Sequence, residues 1–153
     1  ISIVGLPKTI DNDIPIIDKS FGFETAVAEA VKAIKSAYVE SHSAEYGVGL
    51  VRLMGRDSGF IAASASSASR DVNICLVPEF EFELNGKYGV LEYTYQRLLT
   101  RRHCVIVVAE GAGEAMCDAA VAHVGTDNVG HIKYGVNLAL ILGYWPPPQR
   151  QNC

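Results

Sequence analysis

"VGLVRLMGRDSGFIAASASSA", residues 48–68, packs a strand, a polar turn and a helix into one short stretch. Val48 to Leu53 is apolar and rich in β-formers, as a buried strand requires. Met54-Gly55-Arg56-Asp57 interrupts it with charge and a glycine. Ser58 stands where a helix cap would, and Gly59 to Ala68 is nearly all Ala, Ser and Ile, a composition for a closely packed helix. A strand that turns directly into a helix is the repeating unit of an α/β sheet.

The same alternation continues on both sides. Upstream, Ile1 to Val4 reads as the end of a buried strand and Gly5 to Lys19 as a polar loop. Ser20 reads as the cap of a helix reaching about Ser41, in which Val27, Ala30, Val31, Ile34, Ala37 and Tyr38 recur at helical spacing. Downstream, Asn73 to Val77 predicts a third strand, and Phe80 to Lys87 a loop with a turn at Asn85-Gly86. Tyr88 to Arg102 predicts a helix with a basic last turn, and Cys104 to Ala109 a strongly apolar fourth strand. The expected fold is α/β, a parallel Rossmann-like sheet flanked by helices. From about Cys117 the pattern dissolves. Residues 118–153 are expected to form a divergent, poorly ordered tail, and Pro146-Pro147-Pro148 forbids helix there.

Of 153 residues, 49% are hydrophobic and 20% charged, which suits a globular core. The formal charge of −4 leaves no basic stripe for a nucleic-acid backbone, and no apolar run is long enough to cross a bilayer as a helix. The four cysteines lack the paired spacing of a zinc site. Cys75 and Cys104, inside strand-like runs, are expected to be buried thiols, which points to a reducing compartment such as the cytosol. The chain opens at Ile1 within an apparent strand, so it is expected to be a piece of a longer protein.

Three polar clusters follow expected strands. Lys8, Thr9, Asp11 and Asp13 lie in "PKTIDNDIP", residues 7–15; Met54-Gly55-Arg56 follows Leu53; Glu110-Gly111-Ala112-Gly113 follows Ala109. Ligands of open α/β sheets bind beyond the carboxyl ends of the strands, so a parallel sheet would gather all three clusters at one rim. Their chemistry suits phosphoryl transfer to a hydroxyl, with Asp11 or Asp13 as base, Lys8 and Arg56 facing phosphate oxygens, and Glu110 accepting from sugar hydroxyls. Duller roles compete. Asp and Asn in a proline-bounded loop cap turns, and Arg56 can pair with Asp57 or Glu79. Glu79 itself reads as part of an exposed acidic loop. His42, His103, His123 and His131 show no partner pattern and read as surface or packing residues.

"GLPKTIDNDI", "LMGRDSGFIA" and "VVAEGAG", in this order and spacing, resemble the 6-phosphofructokinase family over roughly residues 1 to 117. "SFGFETAV" and "NICLVPE" place the likeness in the plant and protist ATP-dependent branch. The resemblance implies a partial phosphofructokinase fold, with residues 1–117 as the catalytic fragment. It also implies the glycolytic phosphorylation of fructose 6-phosphate to fructose 1,6-bisphosphate, with ATP and magnesium. Asp11 would take the proton of the 1-hydroxyl. Thr9 and Ile10 would line the sugar and the transferred phosphoryl, with the Thr9 hydroxyl as a donor; Met54, Gly55 and Arg56 would hold substrate and developing charge, and Glu110 would bind sugar hydroxyls. Asp13 would stand near magnesium through water.

Lys8, on the phosphate-donor side, is shared by pyrophosphate-dependent members and by this ATP-dependent branch. It therefore leaves pyrophosphate as an alternative donor; the residue that discriminates belongs to an upstream glycine-aspartate loop outside this chain. Gly47 stands where bacterial members carry a cross-subunit arginine, so that contact does not carry over. The parent enzyme is expected to be allosteric, homo-oligomeric and cytosolic, with a plastid location as the alternative. The piece alone is expected to be inactive. A reading from another class makes it a non-catalytic piece that docks on full-length subunits through exposed sheet edges.

Overall fold

The computed structural model describes residues 1–113, in which three helices and three strands alternate. In chain order they are α1 (Phe23–Ser43), β1 (Gly47–Leu53), α2 (Phe60–Ser69), β2 (Ile74–Leu76), α3 (Val90–Arg101) and β3 (His103–Ala109). All three described strands are parallel, in the order β1-β3-β2, so the last of them in sequence fills the centre.

β3 is what the sheet is built around. Cys104 to Ala109 are each at most 2% exposed, and successive side chains on a strand point to opposite faces. Both faces of β3 are therefore covered, and α1, α2 and α3 all pack on it. A strand buried on both faces reads as an unbroken apolar run, which is what residues 104–109 are. On α1 the expected stripe is the packed one: Ala30 and Ile34 are buried and Val27, Val31 and Tyr38 partly so. The small side chains of α2 permit close approach to α1, and Ile61, Ala62 and Ala65 are at most 1% exposed.

Four expectations need correction. Ile1 to Val4 forms no strand. A strand exists only through its ladder, this run has no ladder partner among the described residues, and Ile1, Ile3 and Val4 stay exposed. Ser20 and Ser58 cap no helix. Gly22 and Gly59 hold the N-cap positions without side-chain caps, and both serines are buried with other hydrogen bonds. Cys75 is exposed, because β2 is an edge strand and the neighbouring Leu76 takes its buried side. Cys104 is buried as expected, and burial pushes its thiol up to about 11.

Element bounds otherwise move by a residue or two. The third strand shortens to Ile74–Leu76, although Asn73 extends the pairing by donating its N–H to Val105 O and accepting the Val105 N–H on Oδ1. The expectations for residues 118–153, including His123 and His131, lie outside the described residues.

Candidate active site

Two of the three polar clusters leave the sheet side by side. Leu53 pairs in register with Ala109, so Met54-Gly55-Arg56 and Glu110-Gly111 emerge from adjacent strand ends. The first of these turns is tightly specified. Gly55 has φ 150°, and a Cβ there would lie 2.3 Å from the Ser58 carbonyl oxygen. The Gly55 carbonyl accepts both the N–H and the hydroxyl of Ser58, at 2.8 and 2.9 Å. Arg56 follows in the left-handed region at φ 49°, a conformation that costs energy for a residue with a side chain.

The third cluster arrives by a different route. With no strand before it, the loop is closed on itself. Thr9 N–H donates to Ser20 Oγ at 2.8 Å, Ser20 N–H to Asn12 Oδ1 at 2.7 Å, and Asn12 Nδ2 to Asp18 O at 3.2 Å. Asn12 itself sits at φ 59°, which its residue type tolerates well. Ile10 anchors the loop on the core. The turn-capping role of Asn12 and the placement of Asp11 are thus parts of one device. Asn12 folds the loop, and Asp11 is presented by it, with its N–H on Thr9 Oγ1 at 3.3 Å.

Electrostatics show the convergence. Burial pushes the Asp11 carboxyl above its usual range, and the Asp13 and Glu110 carboxylates push it the same way. The Arg56 and Lys8 cations oppose them. Charges from all three clusters therefore act on one carboxyl. Arg56, exposed, enters no ion pair among the described residues, so the alternatives with Asp57 and Glu79 do not form. Glu79 instead accepts the Gly59 N–H at 2.7 Å, at the start of α2. Lys8, Asp13, Met54 and Glu110 are exposed, Thr9, Ile10 and Asp11 half-buried.

Arg52 is a participant that the motifs do not mark. Its Nη2 donates to Glu110 Oε1 at 3.0 Å. The available signal was a lone charge in the otherwise apolar β1. A carboxyl with two cations and two further carboxylates acting on it can take a proton from a hydroxyl and balance charge on a phosphoryl group.

A family model described as "Phosphofructokinase" matches residues 1–141. The chain is 58% identical over 118 residues to the ATP-dependent 6-phosphofructokinase 7 of Arabidopsis thaliana, covering 76% of this chain and 24% of that protein. It is 52% identical over 136 residues to the chloroplastic ATP-dependent 6-phosphofructokinase 5 of the same organism, covering 89% and 25%. Its fold matches the solved pyrophosphate-dependent phosphofructokinase of Marinobacter aquaeolei with a TM-score of 0.54 and 28% identity, over 74% of this chain and 31% of that one. The chain spans about a quarter of the length of these two Arabidopsis relatives. It belongs to the phosphofructokinase family.

Proposed function

We propose that residues 1–113 form the sugar side of a site that phosphorylates the 1-hydroxyl of fructose 6-phosphate. The observation that carries this reading is the set of charges on Asp11, drawn from three separate segments. Asp11 takes the hydroxyl proton. A carboxyl raised above its usual range is the better base, because catalytic efficiency improves as the pKa nears the working pH. Thr9 Oγ1 accepts the Asp11 N–H, which leaves its own proton to donate to a phosphoryl oxygen. Arg56 balances charge on the transferring group, Met54, Gly55 and Ile10 line the sugar, and Glu110 accepts from its hydroxyls.

ATP is the donor we assign, because both Arabidopsis relatives are named as ATP-dependent. Lys8 lies on the donor side. Among the described residues no three His, Cys, Asp or Glu side chains gather as a metal site; magnesium needs only one or two carboxylates, with phosphate oxygens and waters as its other ligands. Asp13 would hold it through water, and the ion would neutralise charge on the donor phosphates. The parent is expected to be a homo-oligomer. The cytosol is the compartment we assign, with the plastid as the alternative raised by the chloroplastic relative.

Titration of the 153-residue chain with fructose 6-phosphate, followed by amide NMR, tests the reading. The expected response is confined to residues 9–13, 54–56 and 110–111. Product formation by the chain alone is expected to be negligible with ATP and with pyrophosphate. Shifts elsewhere, or none, would refute the sugar site; robust turnover with either donor would refute the assignment of a partial site.

A further inference from the structure

We infer that Arg52 is a positioning residue that holds one oxygen of the Glu110 carboxylate so that the other faces the sugar hydroxyls; this rests on the reading of the site given above. The backbone register sets the arrangement. Arg52 pairs with Val108, and Glu110 is two residues beyond Val108, so Arg52 and Glu110 fall on the same face of the sheet. The guanidinium reaches along the strand direction and its Nη2–H meets Glu110 Oε1 at 3.0 Å.

Three observations give the contact a purpose beyond stability. First, both side chains keep more than two-fifths of their surface exposed, at 44% and 43%, and ion pairs so open to water stabilise a fold little. Second, Arg52 is the only charged residue of β1, placed in the strand that delivers Met54, Gly55 and Arg56 to the site. Third, Glu110 is among the charges that act on the Asp11 carboxyl, whereas Arg52 is not. Arg52 thus reaches the site through Glu110. A free carboxylate rotates about its terminal bond, and its two oxygens are equivalent acceptors. Holding Oε1 removes that freedom and presents Oε2. A planar guanidinium fixes direction better than a spherical ammonium does, yet a lysine keeps the charge and part of the hold.

The test is a fructose 6-phosphate titration of the 153-residue chain and its variants, with inorganic phosphate as the control ligand. Arg52→Ala and Arg52→Met are expected to weaken the sugar phosphate response about fivefold. Arg52→Lys is expected to stay within about twofold of the parent chain. On a Glu110→Gln background, Arg52→Ala is expected to add nothing, because the two residues act as one unit. The response to inorganic phosphate and the unfolding midpoint are expected to stay unchanged in all Arg52 variants. Sugar phosphate binding that is normal in Arg52→Ala would overturn the inference and leave the site intact. So would an equal further loss on the Glu110→Gln background, or equal weakening for inorganic phosphate. A parent chain that does not respond to the sugar phosphate would overturn the site reading, and this inference with it.

Discussion

Gly111 lies so close to Arg56 that a Cβ on Gly111 would sit 2.3 Å from the Arg56 carbonyl oxygen and 3.2 Å from its carbonyl carbon. The segment leaving β3 therefore rests directly on the turn leaving β1, backbone against backbone. This contact couples Glu110 to Arg56 without any side chain between them.

Gly111→Ala must push one of the two segments aside, since neither neighbouring atom is the end of a flexible side chain. The expected cost is about 1–3 kcal/mol, typical of overpacking in a dense site. Urea unfolding measures it, and the amide signals of residues 55–57 should move most. Parent-like stability with unmoved Arg56 signals would contradict the contact.

Ser20 is 6% exposed, and its hydroxyl is the acceptor for the Thr9 N–H. Ser20→Ala leaves that donor without its partner at a cost of about 1 kcal/mol. Because the bond closes the loop that presents Asp11, the loss should be local. Hydrogen exchange at the Thr9 and Asp11 amides is expected to accelerate about fivefold, in proportion to the lost free energy. Unchanged exchange at Thr9 would contradict the account of how the loop is held.

Asp11 has a raised carboxyl, so the folded chain binds its proton more tightly than the unfolded chain does. The resulting stability is fully present below the ordinary value of 3.8 and is lost as pH rises through the folded-state pKa. Asp11→Asn removes this dependence. Its stability relative to the parent should improve from pH 3 towards neutrality and then level off, read by urea unfolding across that range. Carbon-detected titration of the Asp11 carboxyl gives a sharper check. Arg56→Ala should raise its midpoint further, and Glu110→Gln should lower it. A midpoint indifferent to both would place the three residues apart.

His103 begins β3 with its ring 3.8 Å from that of His42, which in turn lies 4.2 Å from Tyr38. Burial, together with His42, Arg97 and Arg101, disfavours the charged imidazole, while the hydrogen bond to the Arg101 carbonyl partly offsets them. Its pKa is therefore below the usual 6.5. The stability this represents is present above pH 6.5 and lost as pH falls through the folded-state value. His103→Asn should flatten the acid limb, and the His103 ring should titrate below 6.5 by NMR. Titration at or above that value would contradict the packing of the three rings.

Much of this fold was legible in the sequence, for identifiable reasons. Cys104 to Ala109 is apolar throughout because β3 is buried on both faces, and the Ala30–Ile34 spacing on α1 follows from one packed side. What escaped depended on partners far away in the chain. Nothing local in Ile1 to Val4 says that the run finds no ladder partner among the described residues, and nothing local in Ser20 says that its hydroxyl serves Thr9 rather than a helix end. Cys75 reads as buried until β2 is known to be an edge.

The site divides the same way. Asp11, Arg56 and Glu110 were identifiable as candidates from their places after apolar runs, although the loop that carries Asp11 is closed on itself rather than led in by a strand among the described residues. Arg52 was not, since its pairing with Glu110 depends on the register between β1 and β3. The ring cluster of His42 and His103 joins the end of α1 to the start of β3, and no spacing in the sequence reveals it.

The most direct measurement is a crystal structure of the 153-residue chain grown with fructose 6-phosphate. The account predicts one sugar phosphate at the sheet's rim, its 1-hydroxyl on the Asp11 carboxylate, another hydroxyl on Glu110 Oε2, and Arg56 facing the vacant side of the 1-hydroxyl. A sugar phosphate bound elsewhere, or these three side chains touching no common molecule, would contradict it.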